Sequence, residues 1–161
     1  MKKHKYLKFS AVAIAIVMAD QLTKWVIIQT IALHDLYSII PGFFNIIHIH
    51  NSGSAFGLFA DHHSLFRTIF LLTASVVALC LILYLHHHTP GDFPILSFGL
   101  ALIFGGAIGN MIDRIRLGHV IDFIDVHLGT FHWPAFNIAD SAITIGMIIF
   151  AFYMLFRKIP V

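Results

Sequence analysis

The sequence contains no glutamate, and its eight acidic residues are all aspartates. Charged residues make up only 11% of the chain, less than half of the roughly 25% that is typical of soluble globular domains. Hydrophobic residues make up 58%, and the mean hydropathy is +0.86. Because so little charge cannot solvate the surface of a soluble domain, we expect much of this surface to face lipid. Each aspartate inside an apolar stretch then needs its own explanation.

Cysteine, basic surface and metal ligands are also scarce. The single cysteine, Cys80, excludes an internal disulfide, and its apolar neighbours predict a buried structural thiol. The net charge is only +2 and no basic face runs along the chain, so we expect no nucleic acid partner. The run His86-His87-His88 could bind a metal, but it falls in a predicted short loop without further ligands nearby. We therefore expect neither a metal nor another cofactor.

Four segments have the length and apolar character of transmembrane helices, which need about 20 mostly apolar residues. They lie at about 9–28, 65–85, 94–113 and 138–156, within a single membrane-embedded domain, 1–161. The first segment follows several lysines and could instead be a cleavable signal peptide. Apolar character resumes after Lys24, however, and Asp20 and Lys24 are spaced to pair along one helix face. We therefore predict an uncleaved first helix.

The distribution of lysine and arginine predicts the orientation of these helices. Both terminal tails are basic, so we expect both termini in the cytoplasm and the segments at about 30–62 and 114–137 outside. The first external segment has no lysine or arginine, whereas Arg114 and Arg116 begin the second. Residues 47–50 alternate apolar and polar side chains, and a turn-forming Asn-Ser-Gly-Ser sequence follows. This pattern predicts a small sheet on the membrane surface.

The polar residues near the outer helix ends form the candidate site, because such residues are costly at membrane depth. We expect them to converge at the outer leaflet boundary: Asp20, Asp113, Asp122, Asp125, Asp140, Asn110, Asn137 and Arg114. Two carboxylates that share a site cannot easily both ionise, so one stays protonated near neutral pH. Such a pair supplies a general base for water and a general acid for a carbonyl oxygen or leaving amine. Asp122 and Asp140 are the candidate pair.

Each of these aspartates also has a structural interpretation. Asp20 can pair with the lysine one turn later to fix helix packing, and Asp113 can form a helix-end ion pair with Arg114. Asp125 can be a solvated interface residue, and Asp140 fits the first turn of a helix, where the dipole favours an acid. The residue types alone leave both sets of interpretations open.

Five sequence blocks resemble the motifs of the lipoprotein signal peptidases, the signal peptidase II family. The blocks are Asp20-Gln21-Leu22-Thr23-Lys24, Asn51-Ser52-Gly53-Ser54-Ala55-Phe56, Gly105-Gly106-Ala107-Ile108-Gly109-Asn110-Met111-Ile112-Asp113-Arg114, Val120-Ile121-Asp122-Phe123 and Phe136-Asn137-Ile138-Ala139-Asp140-Ser141. They occur in the family's order and spacing and cover nearly the whole chain. Five blocks together are highly specific, and only Ser54, where a small apolar residue would be expected, departs slightly.

The resemblance implies a peptidase of the bacterial cytoplasmic (inner) membrane that cuts a prolipoprotein just before its diacylglyceryl-modified cysteine. Asp122 and Asp140 would form its aspartyl dyad. Asn51 and Arg114 would contact the substrate. The residues that support the dyad, the site or the fold would be Asn110, Asn137 and Asp20.

The fold that the resemblance implies is an all-α polytopic membrane protein with four transmembrane helices. The first external segment would form a small extracytoplasmic β-cradle, and the second a short lid-like helix. The site would lie near the outer leaflet surface, where the lipid of the substrate resides. Cyclic peptide antibiotics of the globomycin type would bind the protein, membrane lipid would surround it, and we expect a monomer.

A small proton-coupled transporter is the main alternative, with the acids as a proton relay and Arg114 as a counter-ion. The sequence has no internal repeat and no helix broken at mid-bilayer, which argues against this alternative. A structural scaffold is a third interpretation, but it leaves the clustering of acids on one side unexplained. Cleavage of a lipidated precursor without an ion gradient would distinguish the three.

Overall fold

The computed structural model describes residues 2–53 and 65–156. Its elements, in chain order, are α1 (Lys2–Thr30), β1 (Leu36–Ile40), β2 (Phe44–Asn51), α2 (Leu65–His88), α3 (Pro94–Leu117), β3 (Val120–Leu128), β4 (Phe131–His132) and α4 (Ile138–Phe156). The sequence block that begins at Asn51 continues into Ser54, Ala55 and Phe56, which lie outside the described residues.

The described part of the chain has four helices that are long and apolar enough to cross a membrane, as the sequence predicted. α1, α2 and α3 continue past the apolar windows into polar flanking residues. As a result, His86, His87 and His88 form the last turn of α2, and the prediction that they lie in a loop is wrong. His86 is buried, and its ring stacks on that of Phe9 with 4.1 Å between the centroids.

Helix α3 packs against each of the other three helices. Its glycines permit this close contact with α1 and α4. A side-chain carbon at Gly105 would lie 2.8 Å from the backbone oxygen of Ala13 in α1, and one at Gly106 would lie 2.4 Å from that of Ala139 in α4. Small residues allow helix backbones to approach closely in lipid. This packing fixes the C-terminal half of α3 beside the first turn of α4.

Cys80 is exposed on α2, so the prediction of a buried thiol is wrong. Its apolar neighbours are exposed too, with Val77 at 62% and Leu81 at 54%. A transmembrane helix is apolar on the faces that contact lipid as well as on those that contact protein. An apolar run therefore does not reveal which face a residue occupies.

The four strands form one antiparallel sheet in the order β1-β2-β3-β4. β2 contains residues 47–50, which confirms the predicted strand. The pairing of β2 with β3 joins the two external segments, with Ile49 opposite Asp122 and Asn51 opposite Val120. This register brings Asn51 close to Asp122 of β3.

The sheet corrects two expectations about the second external segment. An all-α description is too narrow, because this segment contributes β3 and β4 to the sheet. Residues 118–137, all of them described, contain no lid-like helix. The residues from Val120 to Val126 are mainly β-branched and aromatic, which favours a strand, and β2 provides a partner for its backbone hydrogen bonds.

Candidate active site

Asn137 immediately precedes α4 and caps its first turn. Its Oδ1 accepts a hydrogen bond from the backbone N–H of Asp140 at 2.9 Å. In return, the Asp140 carboxylate accepts one from the backbone N–H of Asn137 at 3.3 Å. This reciprocal pair has the geometry of a capping box, in which two donors without helical partners are satisfied. The helix start therefore fixes both side chains, and the prediction that Asp140 lies in a first helical turn is confirmed.

Asp122 lies in β3 and is only 1% exposed. Asn51 donates to its Oδ2 at 2.8 Å, and Asn137 donates to its Oδ1 at 2.7 Å. Burial raises the pKa of Asp122 to about 6, and the nearby Asp140 carboxylate adds to this effect against the lowering by the two amide donors. Asp122 therefore holds a proton at pH values where an ordinary aspartate has lost it.

Asp140 is half-buried at the start of α4. Asn110 in α3 donates its side-chain amide to the Asp140 Oδ1 at 2.7 Å. Asn137 contacts both carboxylates, because its side-chain amide donates to Asp122 and its backbone N–H donates to Asp140. Its side-chain oxygen accepts the backbone N–H of Asp140. The two candidate catalytic carboxylates thus lie on either side of one asparagine.

A buried cluster of charged side chains lies between α1 and α3. Lys24 contacts Asp20 at 2.9 Å and Asp113 at 2.8 Å, and all three side chains are nearly inaccessible to solvent. The predicted Asp20–Lys24 pair is confirmed, whereas Asp113 pairs with Lys24 and not with the adjacent Arg114. Asp20 also accepts the backbone N–H of Ala139 at 3.0 Å, which joins α1 to the first turn of α4.

Arg114 lies one turn beyond Asn110 on α3 and is half-buried. Its Nη1 donates to the backbone oxygen of Asn110 at 3.3 Å. This bond engages one of its donors, and the guanidinium has further donors for other acceptors.

Asp125 lies outside this group, although the sequence placed it with the other aspartates. It is 5% exposed and accepts hydrogen bonds from Asn45 at 2.7 Å and from His132 at 2.8 Å. Burial raises the pKa of Asp125, but these two partners outweigh burial and hold it below the ordinary value. The expectation of a solvated interface residue is therefore wrong. Asp125 is three residues from Asp122 and so points to the opposite face of β3.

Two residues of the buried cluster were not among the predicted site residues. The sequence predicts Lys24 only as a partner of Asp20, but its ammonium also donates to the Asn110 Oδ1 at 3.0 Å. Gln21 donates to Asp113 at 2.9 Å and to Asp20 at 3.2 Å. The available signal was a lysine and a glutamine inside an apolar helix. Within residues 2–53 and 65–156, no three His, Cys or Asp side chains are grouped so that they could hold a metal.

The comparisons with known proteins agree with one another. The family model for signal peptidase (SPase) II matches residues 12–156. The lipoprotein signal peptidase of Desulforapulum autotrophicum is 48% identical over 160 residues, which cover 99% of each chain. That of Syntrophus aciditrophicus is 46% identical over 149 residues, which cover 92% of this chain and 91% of the relative.

Two solved structures of bacterial membrane enzymes have the same fold. One is 32% identical with a TM-score of 0.80 and covers 94% of both chains. The other is 33% identical with a TM-score of 0.79 and covers 92% of this chain and 87% of the other. The fold and the buried polar site thus define a multi-pass bacterial membrane enzyme. The chain belongs to the signal peptidase II family, and it is therefore a peptidase.

Proposed function

We propose that this chain is an aspartyl endopeptidase that removes signal peptides from prolipoproteins. The observation that carries the proposal is the arrangement of Asp122 and Asp140, two carboxylates that both accept a hydrogen bond from Asn137, at 2.7 Å and 3.3 Å. The relatives that match nearly the whole chain carry the name lipoprotein signal peptidase. We propose the family's cleavage position for this chain, immediately before a diacylglyceryl-modified cysteine.

The proposed mechanism uses one carboxylate and one carboxylic acid. The ionised member accepts a proton from water as the water attacks the scissile carbonyl carbon, so that a C–O bond forms. The protonated member donates to the developing carbonyl oxygen, and a proton then passes to the leaving amine as the C–N bond breaks. The raised pKa of Asp122 makes a shared proton available near neutral pH. The roles belong to the pair as a unit, because coupled carboxylates titrate together.

Asn51 and Arg114 are the proposed substrate-contacting residues. Asn51 is exposed at the end of β2, while its amide donates to Asp122 at 2.8 Å. Arg114 is half-buried on α3, and its guanidinium has donors beyond the one that contacts the Asn110 backbone oxygen. Both side chains are thus accessible beside the dyad and can bind the substrate backbone or a lipid headgroup oxygen.

Three residues have proposed supporting roles. Asn110 and Asn137 orient the two carboxylates through their side-chain amides. Asp20 ties α1 to the first turn of α4 through the N–H of Ala139. This contact keeps Asp140 in position relative to the other helices.

We place the enzyme in the bacterial inner membrane with both termini in the cytoplasm, because both tails are basic. The dyad then lies near the outer leaflet, where a lipid-modified cysteine would reside. We expect a monomer without metal or cofactor, surrounded by membrane lipid and inhibited by cyclic peptides of the globomycin type. The family match gives no support to the transporter alternative.

The test is to incubate the purified protein with a synthetic lipidated precursor peptide in detergent, without an ion gradient. Mass spectrometry should show two products separated immediately before the modified cysteine. An unlipidated peptide of the same sequence is the control and should not be cleaved. A precursor that keeps its mass, or a cut elsewhere, would refute the proposed activity.

A further inference from the structure

Lys24 contacts more groups than charge neutralisation requires. Its side chain is 3% exposed, and its ammonium lies within 3.0 Å of three acceptors on two helices. Two of them are the carboxylates of Asp20 and Asp113, whose two formal negative charges already exceed its single positive charge. The third is the neutral side-chain oxygen of Asn110. An ammonium has three donors, so each of these acceptors takes one.

The third contact decides which way the Asn110 amide points. An asparagine amide accepts at its oxygen and donates at its nitrogen, whereas an ammonium group only donates. Asn110 must therefore turn Oδ1 toward Lys24, and this leaves Nδ2 facing the Asp140 Oδ1 at 2.7 Å. The reversed amide would bring two donors together at Lys24 and two acceptors together at Asp140. Both contacts would then be repulsive.

Asn137 is oriented in a different way. The Asn137 Oδ1 is held by the backbone N–H of Asp140, within the capping box of α4. Its Nδ2 consequently points to Asp122 at 2.7 Å, and it also approaches the Asn110 Oδ1 at 3.3 Å. The cap of α4 thus orients the Asn137 amide that donates to Asp122. Lys24 has the same role for the Asn110 amide that donates to Asp140.

We propose that Lys24 is a positioning residue for Asp140, which it serves by fixing the orientation of the Asn110 amide. The inference rests on the proposed dyad and adds a second contact from α1, besides that of Asp20, to the groups that control it. Lys24 does not touch Asp140. Its effect passes through one amide to the carboxylate that must exchange protons.

The competing explanation is that Lys24 only neutralises Asp20 and Asp113. A pair of variants separates the two explanations. Lys24→Met removes the cation and leaves two buried carboxylates without it, which is strongly destabilising. The double variant Lys24→Met with Asp113→Asn removes one positive and one negative charge, so the formal charge of the cluster stays at its wild-type value. Asp113→Asn alone is the matched reference for the lost carboxylate.

The double variant should recover the thermal stability lost in Lys24→Met but should not recover turnover. We expect its kcat to stay lower than that of Asp113→Asn by about 10-fold to 100-fold, the effect of losing a hydrogen bond to a charged group. Lys8→Met, which removes an exposed lysine of the same helix, should leave both measurements unchanged.

A spectroscopic readout keeps this inference separate from the proposed activity. The carboxylic C=O band of Asp140 is isolated by infrared difference spectra against the Asp140→Asn form of each variant. This band should move to higher frequency in the double variant than in the wild type, whose cluster has the same formal charge, because the Asp140 carboxyl has lost an oriented donor. The change should appear whether or not the protein cleaves a precursor. An unshifted band, or a double variant with the kcat of Asp113→Asn, would overturn the proposal and leave Lys24 as a neutralising charge. Inactive protein with a shifted band would count against the peptidase activity and support the positioning role.

Discussion

Asn137 donates its side-chain amide to Asp122 at 2.7 Å while its side-chain oxygen accepts the backbone N–H of Asp140 at 2.9 Å. Its backbone N–H also donates to the Asp140 carboxylate at 3.3 Å, so one residue caps α4 and contacts both candidate catalytic carboxylates. The capping bonds that begin the helix therefore hold Asp140 beside the residue that contacts Asp122. A change at Asn137 would consequently affect the stability of α4 and the chemistry together, so the carboxylates themselves are the clearer targets for a test.

Replacing either Asp122 or Asp140 by asparagine should abolish cleavage and leave membrane insertion intact. Each substitution removes a carboxyl group that must gain and lose a proton, and general acid–base catalysis contributes roughly 10²–10⁴-fold. Cleavage of a lipidated precursor by the purified variants measures the effect. Retention of more than about a tenth of the wild-type rate by either variant would mean that the dyad is assigned wrongly.

Asp125→Asn is the matched control for these substitutions, because it changes a carboxyl group on the opposite face of β3. The variant should cleave the precursor at close to the wild-type rate. It should lose stability by about 1 kcal/mol, since the hydrogen bonds from Asn45 and His132 lose a charged acceptor. If Asp125→Asn were inactive while Asp122→Asn remained active, the two residues would have to exchange roles.

Raising the pH from about 4 to above 6 should destabilise the wild-type protein relative to Asp122→Asn. Burial, with a smaller contribution from Asp140, raises the pKa of Asp122 from 3.8 to about 6. Between these values the folded chain holds a proton that the unfolded chain has released. The contribution of this proton to the free energy of unfolding, roughly 3 kcal/mol, is complete below pH 4 and is lost as the pH rises through 6. Thermal unfolding of both proteins from pH 4 to 8 measures it. A difference in Tm that does not vary with pH would contradict the prediction.

Gly106→Ala should destabilise the packing of α3 on α4. The added carbon would lie 2.4 Å from the backbone oxygen of Ala139, and a backbone atom cannot move aside as a flexible side chain can. Overpacking of this kind costs about 1–3 kcal/mol, and here it also separates Asn110 from Asp140. Thermal unfolding and cleavage assays should both show a loss. Gly91→Ala adds the same carbon where no atom lies within 4 Å, and equal effects of the two variants would argue against the packing explanation.

The helices and one strand could be predicted from sequence because they depend on local patterns. A long apolar run specifies a transmembrane helix, and alternation over residues 47–50 specifies part of β2. The pairing of β2 with β3 is different, since it joins segments separated by the whole of α2 and α3. No local pattern predicts that pairing. The lid-like helix expected in the second external segment is replaced by strands in residues 118–137 for the same reason, because the strand partner of residues 120–126 lies beyond α2 and α3 in the sequence.

Several residues of the candidate site could be predicted from sequence, but Lys24, Gln21 and the contacts within the site could not. Aspartates and asparagines at the helix ends could be identified, because polar groups are rare at membrane depth. The sequence could not distinguish Asp122 from Asp125, which lie three residues apart on opposite faces of one strand. It also could not show that Asp113 pairs with Lys24, which lies on a different helix. Such contacts depend on how helices and strands pack and not on the residue types alone.

Chelation of metal should leave cleavage unchanged. The proposed chemistry needs only two carboxylates and water, and residues 2–53 and 65–156 contain no group of three His, Cys or Asp side chains that could hold a metal. The measurement is the precursor assay after treatment with EDTA and dialysis. Lost activity that returns when zinc is added would rule out the aspartyl mechanism. Asp122→Asn protein, treated in the same way, gives the background rate.

Arg114→Lys should impair turnover although it preserves the charge. The Arg114 guanidinium presents five donors in a planar fork, and the bond to the Asn110 backbone oxygen at 3.3 Å engages Nη1. A lysine ammonium offers a single rotatable point charge, so it cannot hold a substrate oxygen and this carbonyl in the same geometry. We expect kcat/KM to fall by about 10-fold or more with little change in Tm. Arg116→Lys, the same change at an exposed residue two positions later, should behave as the wild type. Normal kinetics and normal unfolding of Arg114→Lys would instead mean that Arg114 only anchors the end of α3 at the membrane surface.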